Sequence, residues 1–199
     1  MKTALLLLLC SASFSFAQTT IIIQGGIGAR TPLIPLENSS SIEDSWKSSH
    51  PATIGIEHFV LKSIAIISGV EYNYYSFKGY GGTQVDDGPP SITGDASQIY
   101  RLSLEGKFIA SPDRNFSLYL VTGTCYSIER IGSIHLKSWY SNTVNNIPGQ
   151  SEYYWMQTLG LGWRCSFSDD FGIDLTGRLY SDYSAHFHES LMLGFFYAL

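Results

Sequence analysis

The stretch "YRLSLEGKF", Tyr100 to Phe108, sets Tyr100, Leu102, Leu104, Gly106 and Phe108 against Arg101, Ser103, Glu105 and Lys107. Strict alternation of this kind is strand periodicity, because successive side chains of a strand point to opposite faces. One face is apolar, with a single glycine. The other is polar and carries three charges. A water-soluble sheet would bury the first face and wet the second. The rest of the chain decides whether that rule holds here.

The same pattern predicts eight strands, over Thr19–Ala29, Pro51–Val60, Ile64–Phe77, Gln98–Ala110, Phe116–Arg130, Glu152–Phe167, Phe171–Asp182 and Glu189–Leu199. No helical periodicity competes with it. Long connections run from Arg30 to His50, Lys78 to Ser97 and Ile131 to Ser151. They are rich in Ser, Gly, Pro, Asn and Asp, and read as mobile solvated loops. Short connections are Leu61–Ser63, Ser111–Asn115 and Ser168–Asp170. The last connection, around Tyr183–His188, is brief and departs from the long class. A meander with long loops at one rim and tight turns at the other is the pattern of a transmembrane β-barrel.

Glycine and charge share the polar face. Glu57, Glu71, Glu105 and Asp174 stand there with Arg101, Lys107, Arg164 and Arg178, so the signs balance. Each Arg or Lys turned to lipid near the midplane costs ~2–4 kcal/mol. Three or four of them rival a domain's whole net stability of roughly 5–15 kcal/mol. Turned into a narrow bore, they pair with the carboxylates. The charged face is therefore read as the inside, the reverse of a soluble lipocalin-type barrel. The fifth segment has apolar residues on both faces and stays ambiguous.

Aromatics form two groups. Tyr72, Tyr74, Tyr126, Tyr153, Trp155 and Tyr180 lie towards the long loops; Phe108, Phe116, Trp163, Phe167, Phe171, Phe195 and Tyr197 lie towards the short turns. These are read as two interfacial belts. Cys125 and Cys165 lie at different heights on this map, too far apart for the ~7 Å Cα separation that a disulfide tolerates, and are expected as free thiols.

The two ends fit export. "MKTALLLLLCSASFSFAQ" has one charge at Lys2, an apolar run from Ala4 to Leu9, and a small-residue cleavage site at Ser15-Phe16-Ala17. It is read as a signal peptide over residues 1–17, leaving a barrel domain over 18–199. Cys10 follows Leu7-Leu8-Leu9 rather than the small residue of a lipobox, and goes with the signal. Losing Lys2 moves the formal net charge from −5 to −6. A mildly acidic chain with no basic cluster has no electrostatic footprint for nucleic acid. At the other end "SLMLGFFYAL", Ser190–Leu199, alternates Leu191, Leu193, Phe195, Tyr197 and Leu199 with a mixed, partly small set. A closed barrel pairs its last strand with its first and leaves no edge.

With signal, meander and final strand together, the chain resembles the small OmpA/OmpX-type eight-stranded outer-membrane β-barrels of Gram-negative bacteria. That resemblance covers the whole chain and rests on architecture. Leu199 stands where the family commonly ends in Phe. It implies an all-β, antiparallel up-and-down barrel in the outer membrane, with both termini in the periplasm and the long loops outside. It also implies outer-membrane lipid, lipopolysaccharide and the barrel-assembly machinery as partners. The interior ion pairs are expected to plug the bore.

Other constellations have plainer readings. His186, His188, Glu189 and Ser190 superficially match the His-x-Ser arrangement of a lipid-A deacylase, but read better as rim residues of the shortest outer loop. Asp86, Asp87 and Asp95 read as solvated loop carboxylates before calcium ligands. "GGIGAR", Gly25–Arg30, lies in a strand and lacks the Lys-Ser/Thr of a phosphate loop. "SSSIEDSW" reads as a short loop helix capped by Ser41. Trp46, Trp139 and Tyr140 rest on headgroups or hold a surface ligand. The resulting reading is a non-enzymatic barrel without cofactor or metal, its wall a scaffold and its loops the contact with the exterior. A narrow porin-like pore stands second, and a lipid-A-modifying enzyme third.

Overall fold

The computed structural model describes residues 18–30, 49–76, 80–81, 91–112, 115–137, 144–182 and 187–199. The segment 1–17, read above as a signal peptide, lies outside the described residues, as do Ser41, Trp46, Asp86, Asp87, Trp139, Tyr140 and His186.

Eight long strands follow the alternating segments. They are β1 (Thr19–Arg30), β2 (Ser49–Leu61), β3 (Ile64–Tyr75), β6 (Ser97–Ala110), β7 (Phe116–Ile131), β10 (Gln150–Ser166), β11 (Phe171–Ser181) and β12 (Phe187–Ala198). Four short ones complete the described set: β4 (Tyr80–Gly81), β5 (Ser91–Gly94), β8 (Ile134–Lys137) and β9 (Val144–Ile147). The long strands close into an antiparallel barrel in the order β1-β12-β11-β10-β7-β6-β3-β2. Each pairs with its sequence neighbour among the long strands, as short hairpins favour, and β1 closes on β12 from Thr20↔Ala198 to Arg30↔His188.

The short strands correct the sequence reading. The connections 78–97 and 131–151 hold a second sheet, ordered β4-β5-β8-β9, and are not merely solvated loop. Register runs from Ser91↔Lys137 to Gly94↔Ile134 between β5 and β8. Asp95 N–H donating to the Ser133 carbonyl at 2.9 Å continues the pairing. These segments are four residues long or less, too short for periodicity to separate from turn.

The tight turns lie at one rim. The one at Ser111 holds a non-glycine residue at φ 58°, and Ser117 Oγ donates to the Ser111 carbonyl at 3.0 Å. The start of β1 and the end of β12 share this rim: Phe59 N–H donates to the Gln18 carbonyl at 3.0 Å and Leu199 N–H to the Thr19 carbonyl at 2.8 Å.

Inside and outside separate along the long strands. Leu102, Leu104 and Phe108 are exposed on β6 while Arg101, Glu105 and Lys107 are buried. On β7 the alternation puts Tyr119, Val121, Cys125, Ser127 and Glu129 inside and leaves Leu118 and Leu120 exposed. The ambiguous fifth segment is thereby resolved. The bore is more apolar than glycine and charge alone: Ile67, Ile109, Tyr119 and Val121 form a buried cluster on which Phe59 packs. Cys125, Met156 and Tyr180 form another, joined by Tyr154.

Inward glycines make room for inward rings. A Cβ on Gly172 would sit 2.6 Å from the Phe196 ring, its register partner, and one on Gly162 would overlap the Tyr119 phenol. A Cβ at either would also overlap a backbone carbonyl, that of Cys165 or of Leu175, so moving the ring alone would not admit one.

Candidate functional site

The bore brings together all eight charged residues singled out from the sequence, in two neutral sets. Alternation delivers each to the inside, since all lie an even number of residues from an inward neighbour on the same strand. The first set lies towards the tight turns. Lys107 Nζ is 3.2 Å from Glu57 Oε1 and 3.2 Å from Asp174 Oδ2. Arg164 Nη2 is 2.5 Å from Glu57 Oε2 and 3.2 Å from Asp174 Oδ2. Two cations thus share two carboxylates across β2, β6, β10 and β11.

Asp174 is the hub of this set. Its Oδ1 accepts from Gln24 Nε2 at 2.9 Å, from Thr176 Oγ1 at 2.9 Å and from the Tyr119 hydroxyl. Its Oδ2 accepts from Lys107 and from Arg164 Nε at 3.2 Å. A carboxylate 1 % exposed needs such a shell, because an unpaired buried charge is costly. The cations have faces as well as partners. Lys107 Nζ lies 3.9 Å from the Tyr119 ring centroid and Arg164 Cζ 4.1 Å from that of Phe196.

The second set lies towards the long connections. Arg101 pairs with Glu71, and Arg178 Nη2 with Glu105 Oε2 at 3.0 Å. Tyr180 OH donates to the other Glu71 oxygen at 2.6 Å, and Arg101 Cζ lies 4.3 Å from the Tyr180 ring centroid. Tyr180 is therefore in the bore, 2 % exposed, and not in the outer aromatic belt. β11 turns it inward with Asp174, Thr176 and Arg178.

His188 is corrected in the same way. It is a β12 residue, 1 % exposed, and its Nδ1 lies 3.0 Å from Arg101 Nη2. A guanidinium only donates, so Nδ1 accepts. Ser190 is buried on the same face, while Glu189 faces out. The three stand on alternate faces of one strand, and not together at an outer rim. "GGIGAR" lies in β1, within a strand as read.

Sequence reasoning missed several bore residues. Glu129 is fully buried and accepts from the Tyr154 hydroxyl at 2.7 Å. Tyr119, Gln24 and Thr176 surround Asp174. The available signal was alternation continued from Glu129 and Tyr119 through Ser117 and Val121, obscured because both β7 faces carry apolar side chains.

The outer wall is the complement. Ile27, Leu104, Leu161, Leu193 and Phe195 are each more than half exposed, with Leu161 at 69 %. Rings meet on this wall in two groups. Tyr72–Tyr100 and Tyr126–Trp155 have centroids 5.2 and 5.1 Å apart towards the long connections. Phe116–Trp163 and Phe171–Phe195 have centroids 5.6 and 5.8 Å apart towards the tight turns. Cys125 is buried in the bore, Cys165 half-buried near the tight-turn rim, and neither is in a disulfide.

No protein-family model matches the chain, and no curated protein sequence matches it. Solved structures do. Neisserial surface protein A superposes with a TM-score of 0.54 at 11% identity, over 91% of this chain and 97% of that one. Ail, the attachment invasion locus protein of Yersinia pestis, superposes with a TM-score of 0.50 at 14% identity, over 92% and 97%. At such identities the likeness is one of fold: the chain has the architecture of small eight-stranded outer-membrane barrels.

Proposed function

We propose that this chain, an eight-stranded antiparallel barrel of the fold seen in Neisserial surface protein A and Ail, is an integral outer-membrane protein. Its wall and bore act as a non-enzymatic scaffold, and its long connections, which include the β4-β5-β8-β9 sheet, face the exterior. One observation carries this: a continuous apolar outer wall surrounds a bore that buries two neutral sets of ion pairs. Monomeric soluble proteins rarely expose apolar patches beyond a few hundred Å². This wall exposes large aliphatic or aromatic side chains along the long strands. A hydrocarbon solvent makes that exposure neutral and the closed ladder obligatory.

The proposal includes export by the segment 1–17, both ends at the periplasmic rim, and assembly by the barrel-assembly machinery. Outer-membrane lipid and lipopolysaccharide surround the wall, and a surface ligand meets the loops. Two neutral ion-pair sets and the Ile67–Ile109–Tyr119–Val121 cluster support a plugged bore over a porin-like pore. The lipid-A-modifying reading finds little support, because Glu189 faces away from His188 and Ser190.

The test has two parts. Detergent alone should extract the protein, and unboiled protein should migrate differently from boiled protein on a denaturing gel. Purified protein in planar bilayers should give no large, steady conductance. Release by salt or alkali, without heat-dependent mobility, contradicts the membrane reading. A stable conductance contradicts the plug.

A further inference from the structure

The second sheet carries a cluster that the scaffold reading does not use. Ser133 immediately precedes β8 and His135 lies two residues on, so both stand on one face. Asn146 is the β9 register partner of His135 and shares that face. Asp95 sits just past the end of β5. His135 Nδ1 is 2.8 Å from Asn146 Oδ1, His135 Nε2 is 3.4 Å from Ser133 Oγ, and Ser133 Oγ donates to Asp95 Oδ2. Ser133 and His135 are half-buried; Asp95 and Asn146 are exposed.

The chemistry follows from which atoms hold protons. An amide oxygen only accepts, so Nδ1 carries its hydrogen towards Asn146 and the Nε2 lone pair faces Ser133. Asn146 therefore fixes the ring in the tautomer that a general base requires. The Ser133 hydroxyl hydrogen is a rotor. It rests on Asp95, and turning about Cβ–Oγ brings it to Nε2 without movement of heavy atoms. Nucleophile, base and base-orienting group are then in sequence, the arrangement by which serine hydrolases are recognised on unrelated folds.

The geometry points to an acyl-transfer site on the outer sheet, with Ser133 as nucleophile, His135 as general base and Asn146 as the positioning residue. Its substrate is a water-soluble carboxylic ester. Height decides against membrane lipid. Tyr126 is in the outward aromatic band, β7 runs on from it to Ile131, and β5–β8 continues the β6–β7 register, so at a tilt of about 40° Ser133 stands some 15–20 Å beyond that band. Ser133 Oγ adds to the ester carbonyl while its proton passes to Nε2. The tetrahedral adduct collapses, the ester C–O bond breaks, and the alcohol leaves with the proton from the imidazolium. Water then adds to the acyl-serine through the same base, releasing the acid and restoring Ser133.

This goes beyond the scaffold reading, and a mobility or extraction failure would be separate from a failure here. Folded protein in detergent is treated with a fluorophosphonate and the modified peptide is located by mass spectrometry. Separately it is given p-nitrophenyl acetate and, in mixed micelles, p-nitrophenyl palmitate. The expected result is modification at Ser133 and not at the exposed reference Ser151. Both modification and acetate cleavage should fall by ~10²-fold in His135→Ala, with heat-dependent mobility retained. His135→Gln serves as the second variant should alanine not fold. Equal modification of Ser133 and Ser151, or an unchanged rate in both His135 variants, overturns the site. Cleavage of palmitate but not acetate overturns the substrate class.

Discussion

Replacing Asp174 by Asn tests whether the bore is held by its charge balance. The substitution keeps volume but removes one of two negative charges shared by Lys107 and Arg164, each 3.2 Å from Oδ2. At an effective dielectric near 20, one such contact has a gross attraction of about 5 kcal/mol. Much of it is offset, because Glu57 still holds both cations and a neutral amide is cheaper to desolvate than a carboxylate. The net loss from removing one partner of a buried pair is ~3–5 kcal/mol, a large share of a typical net stability of roughly 5–15 kcal/mol. Lys107→Met alone should cost a similar amount. The double variant restores neutrality, so it should be more stable than the sum of the singles predicts, by about 2–3 kcal/mol. Equilibrium urea unfolding in lipid vesicles, read by tryptophan emission and gel mobility, gives all four stabilities. Additivity within ~0.5 kcal/mol would refute the reasoning, and the quartet would then be packing without electrostatic consequence.

Further outcomes test other parts of the structure. Tyr180→Phe deletes the hydroxyl that donates to Glu71 and should cost about 1.5–3 kcal/mol, as hydrogen bonds to buried charge do; a neutral result in the same unfolding assay would return Tyr180 to a packing role. Leu104→Arg should cost ~2–4 kcal/mol in vesicles because it turns a guanidinium to lipid. Spin labels at Leu104 and Leu175 should be relaxed by oxygen, whereas labels at Ser103 and Thr176 should not; the opposite pattern would invert the barrel. Ser111→Gly should stabilise by about 1 kcal/mol, since an L side chain at φ 58° is strained; no change would show that the backbone freedom glycine adds to the unfolded chain cancels the relief.

What the sequence disclosed depended on length and contrast. β6 reads cleanly because Arg101, Glu105 and Lys107 break into an apolar series at alternate places. β7 does not, because Tyr119, Val121 and Cys125 point inward among residues as greasy as Leu118 and Leu120 outside. Tyr180 misled for a related reason: tyrosine suits both an interfacial belt and a bore, and only the Glu71 carboxylate within reach distinguishes them. His188 looked like a rim residue because the connection before it is short and polar, yet β12 begins one residue earlier. The outer sheet was illegible because its central pairing, β5 with β8, joins two different connections, and its strands are too short for reliable alternation. Pairing partners across the bore, such as Lys107 with Glu57, follow from barrel closure and are not encoded locally at all.

The ladder joining Thr20 to Ala198 has a temporal consequence. Its two strands are separated in sequence by all the other strands of the barrel, so β1 cannot find its partner until those have been made. Until β12 exists, β1 offers a row of amide and carbonyl groups with nothing to meet them, and in hydrocarbon that row is prohibitive. Closure of the wall therefore waits on β12. A fragment truncated before β12 should be found with chaperones or degraded, never in the bilayer.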